Sequence, residues 1–449
     1  MTWIRAGWDS FRRTNVRRAA SPRSLRDAGL TVWRRHHDLL GGASSLAATT
    51  GTVSALGFFY WALAARLFSQ QAVGYGSAAV SAMTLLGTIG MLGLGTVLIG
   101  ELPRRRRRAG LICAALLTSS LGSALLGLGF AIFSPGLDAR FADISGTPGQ
   151  VALIAAGVML TGGTYVLDQA AIGLMRGGLQ LARNIVFAVT KLLALPAAAV
   201  LLHDQFGTGI AASWVAGTAL SAVAVAIWLR CTGSPVAPRP DWGVLRGLGK
   251  IALAHNWLNI AIVVPRSLIP VLVTVVVSPS ANAAFYAAWT LSGFLYIVPT
   301  HLSTVLFAVA AADPAAIARK LRFTLRLSAI IGLPGMAVLG LGAHLALAMF
   351  GAGYARAGTL PLLLLVAGYP PTVFKVQYIA VCRAQNRIPR AAAVLTVAAA
   401  LEITATMLGG ASGGLKGLSL ALLAVFFAEG LVTAPAVIRV AAGRGYSRS

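Results

Sequence analysis

The chain has 449 residues, 57% of them hydrophobic and only 11% charged, yet Lys and Arg outnumber Asp and Glu by 37 to 12, giving a formal charge of +25. A soluble domain runs to about 45–50% apolar and about 25% charged residues, so a soluble basic protein is excluded. Apolar runs long enough to cross a hydrocarbon core of about 30 Å as helices recur along the chain, which makes it an all-α polytopic membrane protein.

Residues 1–42 form a basic tail in which Trp3, Trp8, Phe11 and Trp33 alternate with Arg12, Arg13, Arg17 and Arg18. The tail reads as an interfacial amphipathic segment broken at Pro22, or as a solvated, disordered arm. It has no apolar core, so it does not read as a cleaved signal peptide, and the first span is expected to serve as the insertion signal. Twelve spans follow, near 43–67, 74–100, 109–133, 150–173, 184–202, 207–229, 251–277, 283–310, 324–349, 358–380, 391–408 and 415–438. An even number puts both termini on one side.

With that side cytoplasmic, the internal segments collect 30 of the 37 basic residues. The other side holds Arg66, Arg140, Arg356 and Lys416, and Lys191, Arg266 and Lys375 lie within spans. Such an asymmetry over short loops is the positive-inside signal, and places the protein in the cytoplasmic membrane with both termini inside. The run ELPRRRRRAG at 101–110 belongs to this pattern. A loop so short leaves no element to enter a nucleic-acid groove, so the expected partners of its arginines are anionic lipid headgroups and not nucleic acid.

The Pro- and Gly-rich cytoplasmic segment 230–250 separates an N-lobe, 43–229, from a C-lobe, 251–438, and a short tail, 439–449, closes the chain. The two halves carry a faint repeat: VLDQAAIGLMR at 166–176 aligns with VFKVQYIAVCR at 373–383 at an offset of 207, each followed by a basic loop. Cys113, Cys231 and Cys382 lack metal-site or disulfide-framework spacing. Paired loop carboxylates, a phosphate-cradling GxxxxGK[ST] and a Ser/His/Asp set are also missing from the sequence, and neither an enzyme nor a bound cofactor is expected.

The text WALAARLFSQQAVGYG at 61–76, followed by GTIGMLGLGTVL, together with twelve spans in two six-helix halves, resembles the multidrug/oligosaccharidyl-lipid/polysaccharide (MOP) exporter superfamily. The resemblance is strongest to its polysaccharide-biosynthesis flippase branch and covers 43–438. It implies a V-shaped, MATE-like pair of lobes around a central cavity and movement of a lipid-linked saccharide between leaflets.

Ionisable residues deep in a span cost about 2.5–3.5 kcal/mol on insertion scales and mark cavities or partners. Asp168 and Lys191 lie at similar depth on consecutive helices and read as a structural ion pair. Alternatively, because the repeat maps Asp168 onto Lys375, Asp168 and Lys375 read as a cytoplasmic-side gate between the two lobes. Arg266, bracketed by Pro265 and Pro270, is the leading candidate for a lipid pyrophosphate, whose oxygens match the guanidinium fork. Arg66, at a helix end, either snorkels or lines the cavity. His255, Asn256 and Asn259 are read first as interhelical hydrogen-bonders and second as sugar contacts. Glu402 and Glu429, near mid-membrane on antiparallel spans, are candidates to hold a coupling Na⁺ or H⁺.

The leading reading is therefore a flippase for a lipid-pyrophosphate-linked oligosaccharide or polysaccharide precursor. An ion-coupled multidrug antiporter is the alternative on the same fold, disfavoured because 43–100 contains no Asp or Glu. A non-transporting scaffold for polysaccharide-assembly proteins is the alternative from another class.

Overall fold

The computed structural model describes residues 51–105, 108–137, 146–174, 176–202, 206–232, 239–312, 317–385 and 387–443. The basic tail, parts of the loop around Arg140 and of the 230–250 segment, and the final six residues of the chain lie outside the described residues. Every regular element described is helical. In the first half these are α1 (51–67), α2 (Gln70–Gly90), α3 (Leu94–Glu101), α4 (Ala109–Leu137), α5 (Pro148–Gly173), α6 (Gly177–Leu201) and α7 (Thr208–Cys231). The second half contains α8 (Trp242–Val276), α9 (Pro279–Gly293), α10 (Ile297–Ala312), α11 (Ile317–Leu341), α12 (Ala343–Ala348), α13 (Ala352–Ala367), α14 (Tyr369–Ala384) and α15 (Ile388–Ala441).

Local chemistry sets the boundaries. Ser69 caps α2 by accepting from the Ala72 N–H at 3.1 Å, and Thr147 and Gln150 form a reciprocal capping box at the start of α5. The span expected at 74–100 is broken, because Leu92 and Gly93 take positive φ (52° and 72°) between α2 and α3. A methyl on Gly93 would fall on the Ala252 carbonyl oxygen, so the break is also a close approach to α8. That helix runs 35 residues, starts within the segment expected to be a linker, and is capped by Asp241 accepting from the Val244 N–H at 3.1 Å. Both Pro265 and Pro270 lie inside it without ending it.

Nine described helices are long and apolar enough to cross a membrane, or ten if the α13–α14 pair, bent by 50° at Gly368, is one span. The 54-residue α15 is broken at Gly413 and Gly414, the latter at φ 55°, and folds back as two antiparallel helices with the Gly409 and Gly417 backbones in contact. It thus supplies the spans expected at 391–408 and 415–438. α1 covers the described part of the first expected span.

On α4, Leu117, Leu121, Leu125, Leu128 and Ile132 are all exposed and form one apolar stripe at helical spacing. Such an outward face is stable against lipid and costly against water. Inward, α2, α4 and α5 approach closely through small residues, with Gly87, Gly90 and Gly162 packed against Thr161 and Ser123. Within the first half α4 packs on α5 and α6 on α7; in the second, α9 packs on α13 and α14 on α15. The halves meet where α2 crosses α8 and α9.

Candidate functional site

At the end of the bundle where α1 turns into α2, the halves are tied together. The buried Asn282 amide, in the first turn of α9, donates to the Gly74 carbonyl (2.9 Å) and meets the Ser77 hydroxyl (3.0 Å) on α2. Gln70 donates to the Ser280 carbonyl at 3.0 Å. Arg66 donates to the Met349 carbonyl (3.1 Å) and the Ala348 carbonyl (3.3 Å) at the C-terminal end of α12, where a helix dipole favours a cation. Phe58 against Phe350 and Trp61 against Tyr286, with ring centroids 5.3 and 4.7 Å apart, add an aromatic seal across the same contact. Arg66 is thus spent on a tie between halves. Asn282 was not singled out by sequence because the span was started at 283, although Ser278-Pro279 is a helix-start signal.

Arg266 takes part in none of these hydrogen bonds or ring contacts. It is exposed although it sits in the apolar part of α8. It is within electrostatic reach of Tyr165 on α5 and Tyr286 on α9, one tyrosine from each half. Thr84 and Ser81, both on α2, are the side-chain hydrogen-bond partners of those two tyrosines.

Two of the other α8 polar residues make interhelical hydrogen bonds. Asn256 donates to the Ile89 carbonyl at 3.4 Å, where α2 breaks, and Asn259 donates to the Thr96 hydroxyl at 2.9 Å. His255 is half-buried and lies within electrostatic reach of Arg383.

Asp168 pairs with neither expected partner. Arg183 grips it in a two-pronged fork, Nε to Oδ1 at 2.6 Å and Nη2 to Oδ2 at 2.5 Å, and also donates to Ser221 and Asn184. The correction has a simple cause. Helix α6 begins at Gly177 and not near 184, so Arg183 is inside the helix and level with Asp168. The gate between Asp168 and Lys375 is not formed either, since each is held by groups of its own half.

Lys191, 4% exposed, instead enters a cage of rings: its Nζ lies 3.9 Å from the Trp214 centroid, 4.5 Å from Phe187 and 4.7 Å from Tyr60. Among the described residues no carboxylate pairs with it, and its charge is met by π faces. Tyr60 is fixed in turn by Ser213, 2.8 Å from its hydroxyl.

Lys375 on α14 joins the two glutamates of α15. Its Nζ is 2.8 Å from Glu402 Oε1 and 2.7 Å from Glu429 Oε2. The two carboxylates, placed at one depth by sequence, do face each other, with a lysine between them.

No protein-family model matches the chain, and no curated protein matches it. Solved structures do. An inward-facing multidrug-resistance MATE transporter of the MOP superfamily superposes with a TM-score of 0.68, at 14% identity, covering 89% of this chain and 98% of the other. This chain has the MATE fold. An outward-facing MATE transporter of the same superfamily matches at 0.56 and 14% identity, covering 90% and 96%. A MOP superfamily transporter from Pyrococcus furiosus, described as having a binding pocket of reverse polarity that suggests a different function, matches at 0.58 and 12% identity, covering 90% and 96%.

Proposed function

We propose that this protein is a transporter of the polysaccharide-biosynthesis flippase type. It carries a lipid-linked oligosaccharide or polysaccharide precursor across the cytoplasmic membrane by alternating access, with the arginine-rich loops on the cytoplasmic side. The observation that carries this reading is Arg266, an exposed guanidinium held deep in a span and within electrostatic reach of a tyrosine from each half. A cation at that depth is costly unless it meets an anion, and a guanidinium matches a pyrophosphate in a two-pronged geometry.

The ties made by Asn282, Gln70 and Arg66 close one end of the bundle, which under this orientation is the external end. That arrangement agrees with the higher score against the inward-facing MATE structure than against the outward-facing one. The Pyrococcus furiosus transporter, whose reversed pocket polarity suggests a different function, is a precedent for this fold turned to another use. A cationic-drug antiporter fits less well, since a cationic cargo is repelled by Arg266.

The test uses the full chain in proteoliposomes with a fluorescent polyprenyl-pyrophosphate saccharide and, separately, a cationic dye. Accelerated exchange of the lipid between leaflets with no dye transport supports the reading. Dye transport without lipid exchange overturns it in favour of the antiporter, and neither activity favours a scaffold.

A further inference from the structure

The side chain of Glu429 is 5% exposed, and neither of its carboxylate oxygens accepts a well-aligned hydrogen bond. Lys375 touches it as an ion but directs its aligned N–H at Glu402. Glu402 and Glu429 converge on one ammonium, 2.8 and 2.7 Å from the Lys375 Nζ, so two buried carboxyl groups share a single cation. Two carboxylates on one buried cation repel each other, and a proton shared between them relieves that repulsion. With all three groups charged, the triad would carry a net −1 in the interior. Among the described residues, the charges acting on Glu429 come only from Lys375 and Glu402.

The remaining titratable neighbours do not offset that charge. Tyr296, on the 3₁₀ turn after α9, faces Lys375 and Glu402, and Tyr369 stands next to Tyr296. Phe426 presents its ring to the ammonium at 5.6 Å. The nearby hydroxyls are also committed: Thr406 donates to the Glu402 carbonyl at 2.8 Å and Thr433 to the Glu429 carbonyl at 2.7 Å. A hard metal cation needs a shell of oxygen ligands, and here the point between the carboxylates is already filled by an ammonium.

We propose that the Lys375–Glu402–Glu429 triad binds one exchangeable proton, shared between the two carboxyl groups, with Lys375 as a resident cation in the place a metal ion would take. Loading makes the triad neutral. Release leaves one further carboxylate on the same ammonium and one proton in solvent, with no other bond changed. Lys375, with 17% of its side chain exposed, is the most accessible member of the triad. The use of this proton to drive cargo movement rests on the transporter reading above; the proton's presence does not.

The experiment is infrared difference spectroscopy of the full-length protein reconstituted in lipid, titrated in pH, for the wild type, Glu402→Gln and Glu429→Gln. Thermal unfolding in sodium and choline salts runs alongside. The expected result is a protonated-carboxyl band at neutral pH in the wild type that each variant loses, with release of about one proton per chain on alkaline titration. Unfolding temperature should not distinguish sodium from choline. Absence of that band, or a sodium-specific stabilisation that Glu429→Gln abolishes, overturns the proposal. So does failure of both variants to fold, since an amide should stand in for the neutral carboxyl. A proton found without saccharide movement leaves the triad intact and removes only the cargo reading.

Discussion

The two halves of the chain place buried charges at corresponding points of the repeat and satisfy them differently. In the first half Asp168 meets Arg183 one to one, with a two-pronged fork and further bonds to Ser221 and Asn184. In the second half one lysine serves two glutamates, and Glu429 is left without an aligned hydrogen bond. A closed, balanced pair has nothing left to bind and holds helices in register. An unbalanced cluster retains chemistry, and that separates a structural site from one that can take up an ion.

The largest effect that can break this contrast is Lys375→Met. It leaves two buried carboxyl groups without their cation, and breaking a buried pair from one side costs about 3–5 kcal/mol. Thermal unfolding in detergent should show a destabilised or unfolded variant. Adding Glu402→Gln and Glu429→Gln to it should recover most of the loss. Asp168→Asn comes next, because it strands Arg183, with loss of about 3 kcal/mol read in the same assay. Unlike the triad, this pair should show no dependence on pH near neutrality beyond that of the wild type.

Asn282→Ala removes two hydrogen bonds between the halves, which is worth about 1–3 kcal/mol to the closed end. The chain should still fold, while a cysteine introduced at Ser280 becomes more reactive to a membrane-impermeant thiol reagent. Unchanged reactivity would show that the tie does not hold this end closed. Smallest is Lys191→Met. Three rings pack against a thioether about as well as against a lysine stem, and the cation–π gain of about 0.5–2 kcal/mol is set against the cost of a buried charge. Stability within about 1 kcal/mol of the wild type is expected, whereas Lys191→Glu should not fold, since the cage offers a carboxylate only π faces.

Depth was readable from sequence and direction was not. Counting about 1.5 Å per residue put Glu402 and Glu429 at one level, and they do meet. The same counting could not reveal that Lys375 turns toward them and not across to Asp168, because helix rotation is unspecified when a span is apolar all round. Arg183 was taken as a loop residue because a charge is the usual sign of a span's end. Its partner made the charge tolerable inside. The glycine turn in α15 was legible as a break between two spans, whereas the break at Leu92 and Gly93 was hidden in GMLGLG, where one flexible residue resembles another until a close neighbour such as Ala252 is known. The aromatic cage at Lys191 draws on three helices and leaves no local trace in sequence.

The proposed role of Arg266 can be tested most directly by binding. Affinity of the purified protein for a polyprenyl-pyrophosphate saccharide should be compared with that for the same lipid lacking the pyrophosphate, in the wild type, Arg266→Lys and Arg266→Ala. A preference for the pyrophosphate that falls by roughly tenfold or more in Arg266→Ala, about 1.4 kcal/mol, with Arg266→Lys in between and unfolding temperature unchanged, is the predicted result. Equal affinity in Arg266→Ala and the wild type would contradict it.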